Sequence, residues 1–174
     1  MPERAAMNPY DWIAGHAART PDKRAIRFGE VDWSYAALAQ EAARLAAALA
    51  ASGIQRGDRV AFLGLNSPRE IALLAACAHL GALFMPINWR LTAHEQRQML
   101  GDCQPALLML DELFSASRAS LGTGLPDATL VALASAPPPG WMADDAFIAR
   151  GADVATPTGV GAPHDTLLLC YTSG

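Results

Sequence analysis

The apolar positions of this chain change period several times, and each change marks an element. Trp12, Ile13 and Ala17 share one side of a short helix over residues 9–19, with Pro21 close beyond its end. Ala25, Ile26 and Phe28 then alternate as a strand, Gly29-Glu30 turns, and Val31-Asp32-Trp33 returns, so the amino end predicts a hairpin with Trp33 in core or intersubdomain packing. Behind Ser34, whose hydroxyl can accept from first-turn amides, Tyr35, Leu38, Ala42, Leu45, Ala46 and Leu49 recur at helical spacing, while Gln40, Glu41 and Arg44 fall largely elsewhere. Gly53 is a natural stop.

From Val60 to Leu110 the pattern becomes strand, helix, strand, helix, strand. Arg59–Leu65 is a short apolar run. Asn66 or Ser67 caps the next helix, Pro68 suits its first turn, and so little of Ile71–Leu80 is polar that burial on more than one face follows. Leu83-Phe84-Met85-Pro86 is a second strand, with Pro86 expected at its extreme end because it cannot donate to a ladder. Thr92 and Glu95 have the spacing of a capping box, which explains Glu95 better than acid catalysis does. Ala106–Leu110 is the third strand, and connections of this length favour parallel pairing. A short surface helix within 112–125, a strand over Thr129–Ala134, a proline break at 136–140, a short helix at Asp144–Arg150 and a Gly/Pro-rich loop to Pro163 complete the middle.

The last stretch, Asp165 to Gly174, reads as a buried apolar strand delivering Tyr171-Thr172-Ser173-Gly174 to the end of a sheet. In an open α/β sheet ligands bind there. Two hydroxyls, loop amides and a glycine suit a phosphate-cradling turn, although a strand followed by Thr-Ser-Gly is also an ordinary turn. It is not a Walker A loop, which needs Gly-Lys-Ser/Thr after four residues.

Residues 163–174 resemble the opening of the phosphate loop of the adenylate-forming (AMP-binding) superfamily. That superfamily comprises acyl-CoA synthetases, aryl-CoA ligases, luciferases and peptide-synthetase adenylation domains. Further segments resemble it in the same order: Thr20–Ile26, Trp33–Leu38, Gly57–Ala61 and Gly81–Thr92. The resemblance implies an α/β fragment of the amino-terminal subdomain of the family's large domain, with parallel βαβ units and a short hairpin. Its parts would be 1–34, helix plus hairpin; 35–134, α/β core; 135–163, loop-rich connector; and 164–174, the strand entering the phosphate loop.

The family joins ATP and a carboxylate as an acyl adenylate, releases pyrophosphate, and passes the acyl group to a thiol. Carried over by position, Thr172 and Ser173 would bond the β- and γ-phosphates or the departing pyrophosphate, with Gly174 permitting loop closure. Arg90 matches an arginine that approaches the nucleotide phosphate of CoA in some ligases, and its alternative is a carboxylate pair or a carbonyl cap. Asn88 reads as turn-forming, and Tyr171 either packs at the strand end or touches ligand. No residue is assigned a catalytic role or a metal. The parent would use ATP, Mg2+ and CoA on a fatty or aromatic carboxylic acid. Loading of a carrier-protein thiol, or a non-catalytic truncated α/β fragment, are the alternatives. The loop lysine, the adenine-binding aromatic segment, the acidic residues for magnesium and ribose and the mobile carboxyl-terminal region fall outside these 174 residues, so the chain alone is expected to be inactive and prone to self-association.

Composition narrows this picture. With 52% hydrophobic and 17% charged residues and a net charge of −4, the chain fits a globular class with an apolar skew. Lys23 is the sole lysine, and no basic cluster invites nucleic acid. Cys77, Cys103 and Cys170 are far apart among apolar neighbours and read as free buried thiols. His16, His79, His94 and His164 form no ligand pattern with them; His79 reads as a packed core histidine. With no visible signal segment and no uncharged stretch of membrane-spanning length, a cytoplasmic setting is the default expectation.

Overall fold

The computed structural model describes residues 7–114, 119–134, 136–137, 139–155 and 160–171. Helix α1 spans Pro9–Arg19, closed by a capping box in which Asn8 Oδ1 accepts from the Asp11 amide at 3.1 Å. Strands β1 (Arg24–Phe28) and β2 (Val31–Ser34) pair antiparallel as the expected hairpin. Helix α2 (Tyr35–Ala51) starts where the Ser34 hydroxyl accepts from the Ala37 amide at 3.2 Å. Then come β3 (Arg59–Leu63), α3 (Pro68–Leu80), β4 (Leu83–Ile87), α4 (Ala93–Cys103) and β5 (Leu107–Asp111). A 3-10 turn at Ala119–Gly124, β6 (Thr129–Leu133), β7 (Met142–Ala143) and α5 (Asp144–Arg150) follow.

Five strands pair in the order β4-β3-β5-β6-β7, every pair parallel. Because successive strand residues face opposite ways, the sheet carries two cores. Val60, Phe62, Phe84, Leu107 and Met109 pack under α2 and α3, whereas Ala61, Leu63, Met85, Leu108 and Leu110 pack under α4 and the 119–125 segment. Both faces are covered, which is why these strands are apolar runs rather than alternating ones. Alanines let α2 and α3 approach each other and the sheet closely: Ala42, Ala46, Ala72, Ala75 and Ala76 are fully buried. Gly81 closes α3 in the left-handed region at φ 70°, where a side chain would also strike Arg56 and Asp165.

Four expectations change. Trp12 is 58% exposed, while Tyr10 and Ile13 face the core; neighbouring helix positions stand about 100° apart, and one side of α1 is covered. Glu41, placed off the apolar stripe of α2, is only 8% exposed, because Arg69 of α3 and Arg44 meet its carboxylate there. Arg69 also pairs with Asp144, so one guanidinium ties α2, α3 and α5 together. The surface helix expected within 112–125 begins as expected, with 112–114 helical, but 119–124 is a 3-10 turn with Leu121 buried; residues 115–118 lie outside the described residues. Pro86 sits inside β4 opposite Phe62 rather than at its extreme end.

The terminal stretch departs furthest. Expected as a buried strand, it makes one parallel bridge, Phe84 to Leu168, along the outer edge of β4. Leu168 is 49% exposed, and Cys170 is exposed rather than a buried thiol, whereas Cys77 and Cys103 are buried. The physical reason is position: the segment is covered on one side by β4 and meets no strand on its other side among the described residues.

Candidate functional site

The parallel strands point their carboxyl ends in one direction, and the turn after β4 opens there. Asn88 builds that turn: its Oδ1 accepts from the Arg90 amide at 3.0 Å, and its carbonyl accepts from the Leu91 amide at 3.2 Å and from Nε2 of the buried Gln96 at 3.1 Å. The Asx geometry confirms a turn-former. Helix α4 follows at once, with Thr92 and Glu95 in a reciprocal cap in which the Thr92 amide donates to Glu95 Oε2 at 2.7 Å. Bonds from the Thr92 hydroxyl and amide hold the Glu95 carboxyl below its usual range, as a cap should.

Arg90 projects from this turn with its guanidinium carbon 4.5 Å from the centre of the Trp89 ring. Trp89 in turn lies 6.4 Å from Phe114. Neither structural alternative for Arg90 is realised among the described residues: it has no carboxylate partner and no carbonyl acceptor there. An exposed guanidinium held over an indole, with no carboxylate or carbonyl partner among the described residues, has the donor geometry that suits a phosphate.

The terminal segment reaches the same end of the sheet. Three residues past the Phe84–Leu168 bridge, Tyr171 lines one groove with Asn88 and Leu91, so the segment arrives beside the Asn88–Leu91 turn. Its hydroxyl donates to Asp102 Oδ2 of α4 at 2.5 Å, which pushes the phenol up to about 12. Pro86, Asn88, Leu91, Met99, Asp102 and Tyr171 line an open groove of about 680 Å³. At the other end of the segment the Asp165 carboxylate accepts from the Ala162 amide at 2.7 Å and pairs with Arg56, and these partners hold it below its ordinary range.

Thr172, Ser173 and Gly174, the phosphate-loop residues inferred from sequence, lie outside the described residues. Of the candidates, Arg90 is described, and it occupies the end of the sheet toward which Tyr171 leads. Sequence reasoning missed Asp102, Asp165 and Arg56. Tyr171 and Asp102 stand 69 residues apart and Arg56 and Asp165 stand 109 apart, with no local signature to join them.

A parallel α/β sheet preceded by a helix and an antiparallel hairpin, with a further strand entering beside β4, is the amino-terminal subdomain of an adenylate-forming enzyme. The chain belongs to that family: residues 13–174 match the model of the AMP-binding enzymes. It is 49% identical over 164 residues to the indoleacetate–CoA ligase of Aromatoleum aromaticum (strain DSM 19018 / LMG 30748 / EbN1), a match covering 94% of this chain and 32% of that protein. To the feruloyl-CoA synthase of an Amycolatopsis species it is 34% identical, covering 94% of this chain and 30% of that one. The chain thus spans about a third of the length of these curated relatives. The solved N-terminal domain of FACL13 from Mycobacterium tuberculosis superposes with a TM-score of 0.76 at 28% identity, over 96% of this chain and 41% of that chain. An anthranilate CoA ligase solved with anthranoyl-AMP shares the fold at a TM-score of 0.84 and 22% identity, over 99% and 33% of the respective chains.

Proposed function

We propose that the whole protein activates an aromatic or arylalkanoic carboxylic acid with ATP to an acyl adenylate, releases pyrophosphate, and transfers the acyl group to CoA with release of AMP. The observation carrying this is the 49% identity to an indoleacetate–CoA ligase across nearly the full chain. Feruloyl-CoA synthase and 3-hydroxybenzoate–CoA ligase relatives support the aromatic class over the fatty one. Thioester formation from a free acid in water is unfavourable, so AMP is installed first as a leaving group.

Thr172 and Ser173 are assigned to the β- and γ-phosphates, with Gly174 as the hinge that lets the loop close; such preplaced donors stabilise charge that grows during adenylation. Arg90, free of acidic partners among the described residues and supported by Trp89, is assigned to a CoA phosphate. Magnesium is assigned to the ATP phosphates, where it would neutralise the charge that develops during adenylation. The acyl pocket and the residues that complete the loop lie elsewhere in the whole protein, so the 174 residues alone are expected to be inactive.

The test is carboxylate-dependent pyrophosphate release by the whole protein, with and without CoA, over indole-3-acetate, phenylacetate, ferulate, 3-hydroxybenzoate and fatty acids. Aromatic acids should give the highest kcat/KM, and CoA should yield the thioester. Preference for fatty acids would overturn the substrate class. Thioester on a holo carrier protein but not on CoA would overturn the acceptor.

A further inference from the structure

The strand that leads to Thr172 is held in an unusual way. On the outer edge of β4 the Phe84 amide donates to the Leu167 carbonyl at 2.7 Å, and the Leu169 amide donates to the Phe84 carbonyl at 3.0 Å. The next donor on this edge belongs to residue 86, two positions on, and Pro86 has no N–H. The ladder loses that bond to the Leu169 carbonyl, and among the described residues Cys170 and Tyr171 make no backbone bond to the sheet. A parallel strand held by two hydrogen bonds defines its own exit poorly.

Side chains hold the two ends instead. At the entry, Asp165 is fixed by Arg56 and the Ala162 amide. At the exit, the Tyr171 hydroxyl meets Asp102 at 2.5 Å, the short distance of a bond to an ionised acceptor. The Asp102 end is itself rigid: Leu100 and Cys103 of the same helix turn are buried, and the Arg59 guanidinium donates to the Cys103 and Gln104 carbonyls, both at 2.9 Å. Arg59 opens β3, so the anchor is continuous with an interior strand of the sheet.

We infer that Tyr171 and Asp102 are positioning residues for ATP: their bond, replacing the ladder that Pro86 interrupts, sets where the phosphate-binding loop begins. Their role is to hold the start of the loop, not to touch the nucleotide. The inference rests on the reading that Thr172–Gly174 open that loop, and it adds a residue on α4 that the motif itself does not contain. With its phenol held up at about 12, Tyr171 remains a donor throughout the neutral range.

The whole protein carrying Tyr171→Phe, Asp102→Ala, both together, or Ser173→Ala separates the possibilities. Calorimetry gives the dissociation constants for ATP and for CoA, and scanning calorimetry the melting midpoint. Tyr171→Phe keeps the ring and deletes the bond, so ATP affinity should fall about 3- to 10-fold, the range of a typical net hydrogen-bond contribution. CoA affinity and melting midpoint should not move. Asp102→Ala should match it, and the double variant should be no worse than either single one, because both remove one interaction. If Ser173→Ala weakens ATP and Tyr171→Phe does not, the positioning role is wrong while the loop reading stands. Loss of ATP and CoA affinity together, with a lowered midpoint, would show a merely structural role, and additive single effects would show that the two residues act separately; either overturns the inference. No effect of Ser173→Ala would remove the loop reading and this inference with it.

Discussion

Replacing Gly161 by alanine should unseat the connector that feeds the terminal strand. The Gly161 amide donates to the His79 carbonyl at 2.8 Å, directly over the end of α3. A β-carbon there would lie 1.9 Å from the Ala78 carbonyl oxygen, 2.9 Å from the Gly81 amide nitrogen and 3.0 Å from the His79 carbonyl oxygen. All three are backbone atoms of a helix terminus and cannot swing aside as a side chain would. The connector must lift, which forfeits about 1 kcal/mol for the hydrogen bond. Overpacking adds about 1–3 kcal/mol for strain against a close-packed wall. Together these predict a loss of about 2–4 kcal/mol, unless local detachment of the connector costs less and caps it. Urea unfolding followed by tryptophan fluorescence reads the loss. Gly101→Ala is the control: it lies in α4 with no atom beyond its own helix backbone and chain neighbours within 4 Å of its β-carbon, so alanine should be neutral or stabilise by up to about 1 kcal/mol. A Gly161→Ala protein within about 0.5 kcal/mol of the parent, beside a well-behaved control, would refute the close-approach argument.

Thiol labelling of this chain under native conditions should show one fast cysteine, Cys170, and two slow ones, since burial both hides Cys77 and Cys103 and raises their thiols; equal rates for all three would contradict the packing. In the hairpin, hydrogen bonding to Arg27, seconded by Arg24, lowers Asp32 to about 2. A depressed carboxyl stabilises the fold above its unfolded value and loses that contribution as pH falls through its folded value. The acid sensitivity of wild type relative to Asp32→Asn should therefore concentrate between about pH 4 and pH 2, and parallel melting curves across that window would count against the pair. In the whole protein, Arg90→Met should raise KM for CoA about tenfold with KM for ATP unchanged. Trp89→Leu, which removes the cation–π support together with the ring contact to Phe114, should raise it about 2- to 5-fold. A larger effect from the tryptophan than from the arginine would reverse the roles assigned to them.

The sequence by itself determined most of the elements, because their signals are local. Asn8, Ser34, Ser67 and Thr92 cap within three residues of the amides they bond, and helical or alternating apolar spacing needs only a few neighbours to be read. It also carried the family, through the ordered segments from Thr20–Ile26 to residues 163–174. Only the tertiary structure decided that the terminal segment rides the exposed edge of β4, that Pro86 cuts its ladder short, and that Tyr171 and Asp165 are held by Asp102 and Arg56. It likewise placed Glu41 inside, against Arg69, and turned Trp12 out. Each of those outcomes depends on pairs distant in sequence, or on which of two flanks a strand or helix leaves uncovered. No periodicity within one element encodes that.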